Sequence, residues 1–552
     1  MVTVETKHSE LNKYVGKKID LENLKEILFN LGFDLEHAEG DELKVDISAE
    51  RSDLISTQGL ARALRSYLGL KVQDYKIEKS GNKVIVKNMI GEWPYAVAAI
   101  VKGLKFDDEK IKEVIRIQEK LGATFLRHRK KGGLGLYPLE KIKFPITFTC
   151  LDPKKIKYRP LEYPDIITGE EVLERHPTGI EYRHICENWK RLPVFIDSSN
   201  TIMSMPPIVN SHDMGKITEN TTDVFVEATG LDLKTINIAL QVLVGALIDM
   251  GGKAYSIDIV YDNKKVVSPD FTEEKRTIKI NDVNKVLGTD FNSKEVGKLL
   301  EKMGYKVNSS NESFLKINVP GTRSDIWHDV DVIDDIARAY GFNNFELRMK
   351  PVSSIGGTRP SVVIKEELTK LMIGLGYQEV FTLILSNKQD QFENMNIQEF
   401  NHIDLGGSAE KTLNMVRVWL IPELMKCLMH NRSLEYPQKI FEVSEVVIPD
   451  DSKDVKSRNV LRLACISCHT NANYTEIKQI LDHLMNSLGL KYKIREEEHF
   501  SFIPGRVGRV SVDGKDIAYI GEIHPKVISN FGLELPIVAL EINLTDLFGL
   551  DY

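Results

Sequence analysis

The chain is poor in the features that would mark a membrane, secreted or redox protein. Five cysteines are scattered over 552 residues, so no disulfide framework is implied. The apolar run Val242 to Ile248 is far short of the roughly 20 residues needed to cross a bilayer. The opening MVTVETKHSELNKY lacks the apolar core of a signal peptide. No P-loop is present, and no GxGxxG follows a strand, which excludes nucleotide sites of those two kinds. Excess positive charge is missing as well. The net charge of −7 argues against broad nucleic-acid binding by charge alone, although local basic patches stay possible. A cytoplasmic, reduced protein is expected. Its 42% hydrophobic and 28% charged residues are ordinary for a globular chain, and the length suits roughly three to five domains.

What is present is a repeat. Residues 21 to 70 contain an amphipathic helix stopped by Gly32, a strand LKVDI, a turn and a second helix closed by Gly69. Shifted by 272 positions, this segment lands without a gap on residues 293 to 342. Gly32 meets Gly304, Lys44 meets Lys316, Arg51-Ser52-Asp53-Leu54 meets Arg323-Ser324-Asp325-Ile326, and Gly69 meets Gly341. Two copies of one helix–strand–turn–helix unit is the simplest reading.

The second copy carries extra acids. In KINVPGTRSDIWHDVDVIDDIARAYG, Pro320-Gly321 breaks a short strand, and Ser324 or Asp325 is expected to cap the helix that follows. Asp331, Asp334 and Asp335 fall at i, i+3, i+4 on one helical face, with Asp325 at the helix start. Like charges at that spacing repel unless a cation answers them, and Arg323, Arg338 or a hard divalent ion such as Mg²⁺ would serve. The plain alternative is a solvated acidic helix N-terminus. The first copy has Gly59, Arg62 and Ala63 at the matching positions, so the fold itself does not require the acids.

Between the copies lies a larger α/β region with strands KVIVKNMI, YAVAAIVKGL and AYSIDIVY and the buried helix TINIALQVLVGALIDMGG. Its loop MPPIVNSHDMGKITENTTDVFVEATG is long, polar and broken by prolines, the kind of loop that carries function. The basic stretch Arg127 to Lys131 is either a phosphate contact or a solvated helix end. After residue 350 a helix, a Gly stop and a strand within GYQEVFTLIL are expected, then strands KIFEVSEVVIP and NVLRLACISCHT, and a hairpin turning at Asp513-Gly514. Cys465-Ile-Ser-Cys468-His469 matches the haem-attachment pattern, but on a strand positions i and i+3 point to opposite faces, so both are read as core cysteines. His176, His184 and His212 lack metal-ligand spacing and are read as hydrogen-bonded structural residues.

Several of these stretches, in this order, resemble one family. AERSDLISTQGLARALRSYLG, TGIEYRHI, MPPIVNSHDMGKITENTTDVFVEATG, VPGTRSDIWHDVDVIDDIARAYGF and YIGEIHP are similar to the β subunit of phenylalanyl-tRNA synthetase in its archaeal and eukaryotic form. The resemblance implies an α+β and α/β multidomain chain. It would hold a module with the first repeat copy (1–84), an α/β tRNA-editing domain (85–268), the second copy with an acidic metal site (269–347) and an antiparallel-sheet domain (348–552). That last domain would be a class II synthetase fold without catalytic residues, forming the interface with an α subunit. Where that fold needs a phosphate-gripping arginine, this chain has Phe441-Glu442-Val443, and an acid there would repel ATP.

The implied enzyme is an (αβ)₂ heterotetramer that joins phenylalanine to tRNA(Phe) with ATP and Mg²⁺. Aminoacylation belongs to α, which also binds most of the ATP, and no membrane is involved. By the same resemblance Asp325, Asp331, Asp334 and Asp335 bind Mg²⁺ at a site shared with α, although the family often has Glu where Asp334 and Asp335 stand. Asn210, Ser211, Thr222, Asp223 and Glu227 would line an editing pocket that hydrolyses mischarged Tyr-tRNA, with Glu227 or Asp223 reading a hydroxyl or ammonium group. A free-standing editing hydrolase and a non-catalytic assembly scaffold are the competing readings.

Overall fold

A computed structural model describes residues 2–347, 349, 354–408 and 410–550. The chain divides into two compact units, Met1–Met349 and Lys350–Tyr552.

The first unit contains both repeat copies. Copy one runs strand Val2–Lys7, helices His8–Val15 and Leu21–Leu31, strands Asp34–Glu39 and Glu42–Ile47, and helix Thr57–Tyr67. Copy two runs strand Glu274–Lys279, helices Ile280–Leu287 and Ser293–Lys302, strands Lys306–Ser310 and Phe314–Val319, and helix Asp329–Tyr340. Each makes a three-stranded antiparallel sheet with its third strand in the centre. The repeat therefore reaches back past residue 21, where the sequence match starts, to a leading strand and helix at the same 272-residue shift. Asp20 and Asn292 cap equivalent helices, and Gly32 (φ 83°) and Gly304 (φ 86°) end them in the left-handed region that a side chain would strain.

Neither copy buries its apolar faces alone. Leu24, Leu28 and Leu60 share one core with Val296, Leu300 and Ile336. Ser52 Oγ lies 3.0 Å from Ser324 Oγ. These are equivalent residues, so the copies meet about an approximate two-fold axis, as the halves of a self-complementary dimer do.

Between the copies the chain builds a ten-stranded sheet. Its order is Val209–Asn210, Ile202–Met205, Leu192–Ile196, Ile146–Leu151, Ile77–Val86, Lys253–Val260, Tyr95–Lys102, Val224–Gly230 and Gly132–Pro138, with Lys265–Ser268 also paired to Lys253–Val260. The boundary expected at residue 84 falls inside the strand Ile77–Val86. Helices Asp108–Ala123 and Leu233–Asp249 cover one face, and Phe148, Phe195 and Phe225 pack on the other. Leu233–Asp249 is buried over most of its length, as its unbroken apolar character requires.

The second unit is a seven-stranded sheet ordered Gln378–Glu379, Gln438–Pro449, Ser457–Cys468, Ile537–Asn543, Lys515–Ile523, Phe502–Val512, Lys493–Glu496. It is antiparallel except for its first strand. The strand expected after the Gly stop within GYQEVFTLIL is reduced to the two-residue strands Gln378–Glu379 and Leu385–Ser386, because the chain leaves the sheet edge after one pair of ladder positions. Cys465 and Cys468 are both buried, in the cores on opposite faces of the sheet. The hairpin turns on Asp513 (φ 48°) and Gly514 (φ 80°), with Val512 paired to Lys515. The protein is thus a mixed α/β multidomain chain with several sheets.

Candidate functional site

Strand Val224–Gly230 runs between Tyr95–Lys102 and Gly132–Pro138 and is buried at every residue. At its middle, Glu227 faces the smallest neighbours a sheet offers, Ala98 on one side and Gly135 on the other. Two residues on, and on the same face, Thr229 lies opposite Gly133. The alternating glycines of GGLGLYP thus make room on this face for the polar side chains beside them. A Cβ at residue 135 would crowd Glu227 Oε1 and sit 2.6 Å from the Tyr137 hydroxyl. Pro207, from the proline-broken loop, covers Gly133. Arg129 holds that loop, donating to the Pro207 carbonyl (3.1 Å) and the Ile208 carbonyl (2.9 Å). Within the basic stretch Arg127 to Lys131, this arginine is structural.

Tyr137 joins the site. Its hydroxyl donates toward Asn210 Oδ1 (3.1 Å) and Glu227 Oε1 (3.2 Å). Ser204 pairs directly with Asn210 on the neighbouring strand and is fully buried. Glu227 is 2% exposed, and its Oε2 has no partner, nor does Thr229 Oγ1. Burial pushes the Glu227 carboxyl up to about 8, partly countered by the Tyr137 hydrogen bond. Burial, and then the adjacent Glu227, push the Tyr137 phenol well above its ordinary value. At neutral pH Glu227 is therefore mostly an uncharged acid, able to donate one hydrogen bond and accept others.

Of the pocket residues expected from the sequence, the structure brings Asn210 and Glu227 together through Tyr137. Ser211 is buried next to Asn210, its N–H bonded to the Met203 carbonyl (2.8 Å). Thr222 and Asp223 lie elsewhere. Asp223 is four residues back along the strand, about 13 Å by the rise of an extended chain. Its Oδ1 accepts from Gly103 N–H (3.0 Å), and the Thr222 carbonyl accepts from Leu104 N–H (2.8 Å). Both secure the turn after Tyr95–Lys102. Tyr137, Thr229 and Ser204 stand outside the expected set. The one signal for them in the sequence is the period-two glycine pattern of Gly133 and Gly135. His176 and His212, as expected, hydrogen-bond backbone groups.

In the acidic stretch of the second copy each of the four carboxylates has a partner within the chain. Arg323 donates to both oxygens of Asp325 (2.8 and 2.6 Å) and to Asp335 Oδ2 (2.8 Å), which also accepts from the Tyr305 hydroxyl (2.6 Å). Asp331 accepts the N–H groups of Trp327 (2.8 Å) and His328 (2.7 Å), closing a capping box around His328. The helix cap is thus His328 and not Ser324 or Asp325, because the chain stays irregular four residues longer than the spacing suggests. Asp334 pairs with Arg338 (2.7 Å) and is half exposed. Among the described residues, no three His, Cys, Asp or Glu side chains converge as a metal site. The four carboxylates do not fit a closed ion cage in this chain, and only Asp331 and Asp334 keep open oxygens toward solvent.

In the second unit, Glu442 is fully buried and does not stand as a free repulsive charge, contrary to the expectation for Phe441-Glu442-Val443. Arg417 Nη1 donates to its Oε1 (3.0 Å), and Thr382 to its Oε2 (2.6 Å). The sequence separation of 25 residues between Glu442 and Arg417 hides that pair.

Three family models match the chain: the Phe-tRNA synthetase beta subunit B1 domain over residues 1–70, the tRNA synthetase B5 domain over 276–342, and the phenylalanyl tRNA synthetase beta chain CLM domain over 348–544. The B1 and B5 matches fall on the two repeat copies. The phenylalanine–tRNA ligase beta subunit of Pyrococcus abyssi is 37% identical, across 99% of this chain and all of its own length. That of Methanocella arvoryzae is 36% identical with the same coverage. A crystal structure of an N-terminal fragment of the phenylalanyl-tRNA synthetase beta-subunit from Pyrococcus horikoshii matches with a TM-score of 0.59 at 33% identity, covering 61% of this chain and 99% of that one. Similarity that runs from end to end at this level has one meaning: the chain belongs to the phenylalanine–tRNA ligase beta subunit family, and so to an aminoacyl-tRNA synthetase.

Proposed function

We propose that the chain, assembled with an α subunit as an (αβ)₂ heterotetramer in the cytoplasm, supports ATP-dependent attachment of phenylalanine to tRNA(Phe) at the α site and itself removes tyrosine wrongly attached there. The observation that carries the editing half is the buried Glu227 with one unpartnered oxygen beside Gly135. Tyrosine is phenylalanine plus one hydroxyl, and an apolar pocket rejects an added hydroxyl by only about 10²-fold. A site with a buried hydrogen-bonding group that no protein atom pairs reverses the preference. The phenol of tyrosine completes Glu227, whereas the phenyl of phenylalanine leaves it unpaired at a cost of about 1–3 kcal/mol.

The chain's part in hydrolysis is to bind and orient. Burial pushes the Cys186 thiol up to about 12, so it offers no thiolate at neutral pH. Attack is assigned to a water held beside the ester. The second unit is read as a class II-like interface domain, with the Arg417–Glu442 pair filling its centre. Mg²⁺ enters this reading as an ion completed by α, with Asp331 and Asp334 as this chain's available carboxylates.

Two measurements on the complex test this. The chain alone is expected to attach no phenylalanine; charging without α would overturn the division of labour. Glu227→Ala, which removes the hydrogen-bonding group altogether, is expected in the assembled enzyme to slow deacylation of Tyr-tRNA by about 10²-fold while phenylalanine attachment persists. Unchanged deacylation would remove Glu227 from the site.

A further inference from the structure

The two repeat copies enclose a cleft of about 640 Å³ that no part of the editing reading uses. That volume is in the range of small-molecule sites. At its floor, near the pseudo-two-fold axis, lie Arg51, Arg62 and Arg323. Its walls include Leu54, Ala63 and Met303, and an aromatic face where Tyr75 packs on Phe271 with ring centroids 5.0 Å apart.

The cleft exists because the repeat is imperfect. In copy two, Arg338 reaches over Gly32 and donates to the Leu31 carbonyl (3.0 Å), filling the space there. The equivalent residue of copy one is Ser66, whose hydroxyl lies over Gly304, and next to it Ala63 replaces Asp335. Two small side chains on helix Thr57–Tyr67 thus leave open on one side of the axis what Arg338 closes on the other.

The charges at the floor are already matched. Asp53 grips Arg51 (2.9 and 3.0 Å), Asp249 holds Arg62 (3.0 Å), and Asp325 and Asp335 hold Arg323. On the walls Lys298, Lys302 and Lys306 are matched in number by Asp74, Glu273 and Glu301, so with the floor pairs six cations meet seven carboxylates and an anion finds no net positive charge there. One donor is left over: Arg323 Nη1 is buried and has no partner. An uncharged acceptor suits that donor, and the Tyr75–Phe271 face suits a ring.

From this geometry we infer that the cleft binds an uncharged, ring-bearing molecule with a carbonyl acceptor, of the amide or lactam class. The matched pair 3-phenylpropionamide and 3-phenylpropionate tests it on the full chain by titration calorimetry and saturation-transfer NMR. The amide is expected to bind, and the carboxylate to bind at least about tenfold more weakly. Ser66→Arg plugs the cleft with the side chain that the fold already accommodates at the equivalent position 338, and is expected to weaken amide binding at least about tenfold while the chain melts as before. Ala63→Leu gives a second, independent obstruction should Ser66→Arg fail to fold. No amide binding by the unaltered chain, equal binding of the two probes, or amide binding undiminished in a folded plugged variant would each overturn the inference.

Discussion

Two groups of buried acids in the first unit have opposite fates. Asp325 and Asp335 are held by Arg323, and Asp335 also by Tyr305. Among the described residues Glu227 has no cationic partner; it accepts one hydrogen bond from Tyr137, and its other oxygen is unpaired. The first arrangement satisfies its charges and stiffens the contact between repeat copies. The second leaves a buried group uncompensated, which stability alone does not favour and which a ligand can complete. The dense acidic cluster draws more notice in the sequence than a single glutamate in a hydrophobic strand, yet in the folded chain it is the glutamate that lacks a cationic partner.

The contrast can be broken most forcefully at Arg323. Replacing it with Met strands the buried Asp335 and the partly buried Asp325, and a loss of about 3–5 kcal/mol is expected in urea unfolding of the chain. A loss below about 1 kcal/mol would mean that the acids are not held as described.

The next test uses pH. Glu227 takes up its proton more readily folded than unfolded, because burial raises its pKa from 4.5 to about 8. That contribution to stability is complete below pH 4.5 and is lost as pH rises through about 8. Glu227→Gln, which stays neutral, should therefore gain on the unaltered chain by a few kcal/mol between pH 5 and pH 8.5. A melting-temperature difference that is flat across this range would show that the carboxyl is ionised and compensated in the fold.

Gly135→Ala sharpens the space around Glu227. The added methyl crowds Glu227 and Tyr137, and about 1–3 kcal/mol of destabilisation with loss of Tyr-tRNA deacylation is expected. Full retention of both would leave that space wider than the contacts indicate. The smallest effect belongs to Asp331→Ala, which removes a capping-box acceptor and should cost about 1 kcal/mol. EDTA should not change the melting temperature of the chain alone, where two of the four acids are already engaged by Arg323; a marked drop would show that this chain holds an ion without α.

Local features are legible in the order of residues alone. The helix stops at Gly32 and Gly304, the Asp513-Gly514 turn, the buried helix Leu233–Asp249 and the split of Cys465 and Cys468 between faces all follow from periods and turn chemistry within a few residues. The repeat stands out in the sequence from residue 21, where identities are dense. Its leading strand and helix keep only scattered ones, Lys7 with Lys279, Asn12 with Asn284, Lys13 with Lys285 and Gly16 with Gly288, and the apolar positions of the strand do not align. Contacts over long separations are the ones that escape such a reading. Arg417 lies 25 residues from Glu442, and Tyr137 lies 90 from Glu227. No local spacing encodes such pairs.

By itself, then, the sequence determined the family, the two copies and which polar residues were available, since motifs, periodicity and turn residues are properties of neighbours along the chain. Only the tertiary structure decided which acids are neutralised and which stay uncompensated, and which copy leaves a cleft beside the axis. Those outcomes depend on burial and on partners brought in from distant strands. The free energy of a buried charge is set by what packs around it, and not by what precedes or follows it in sequence.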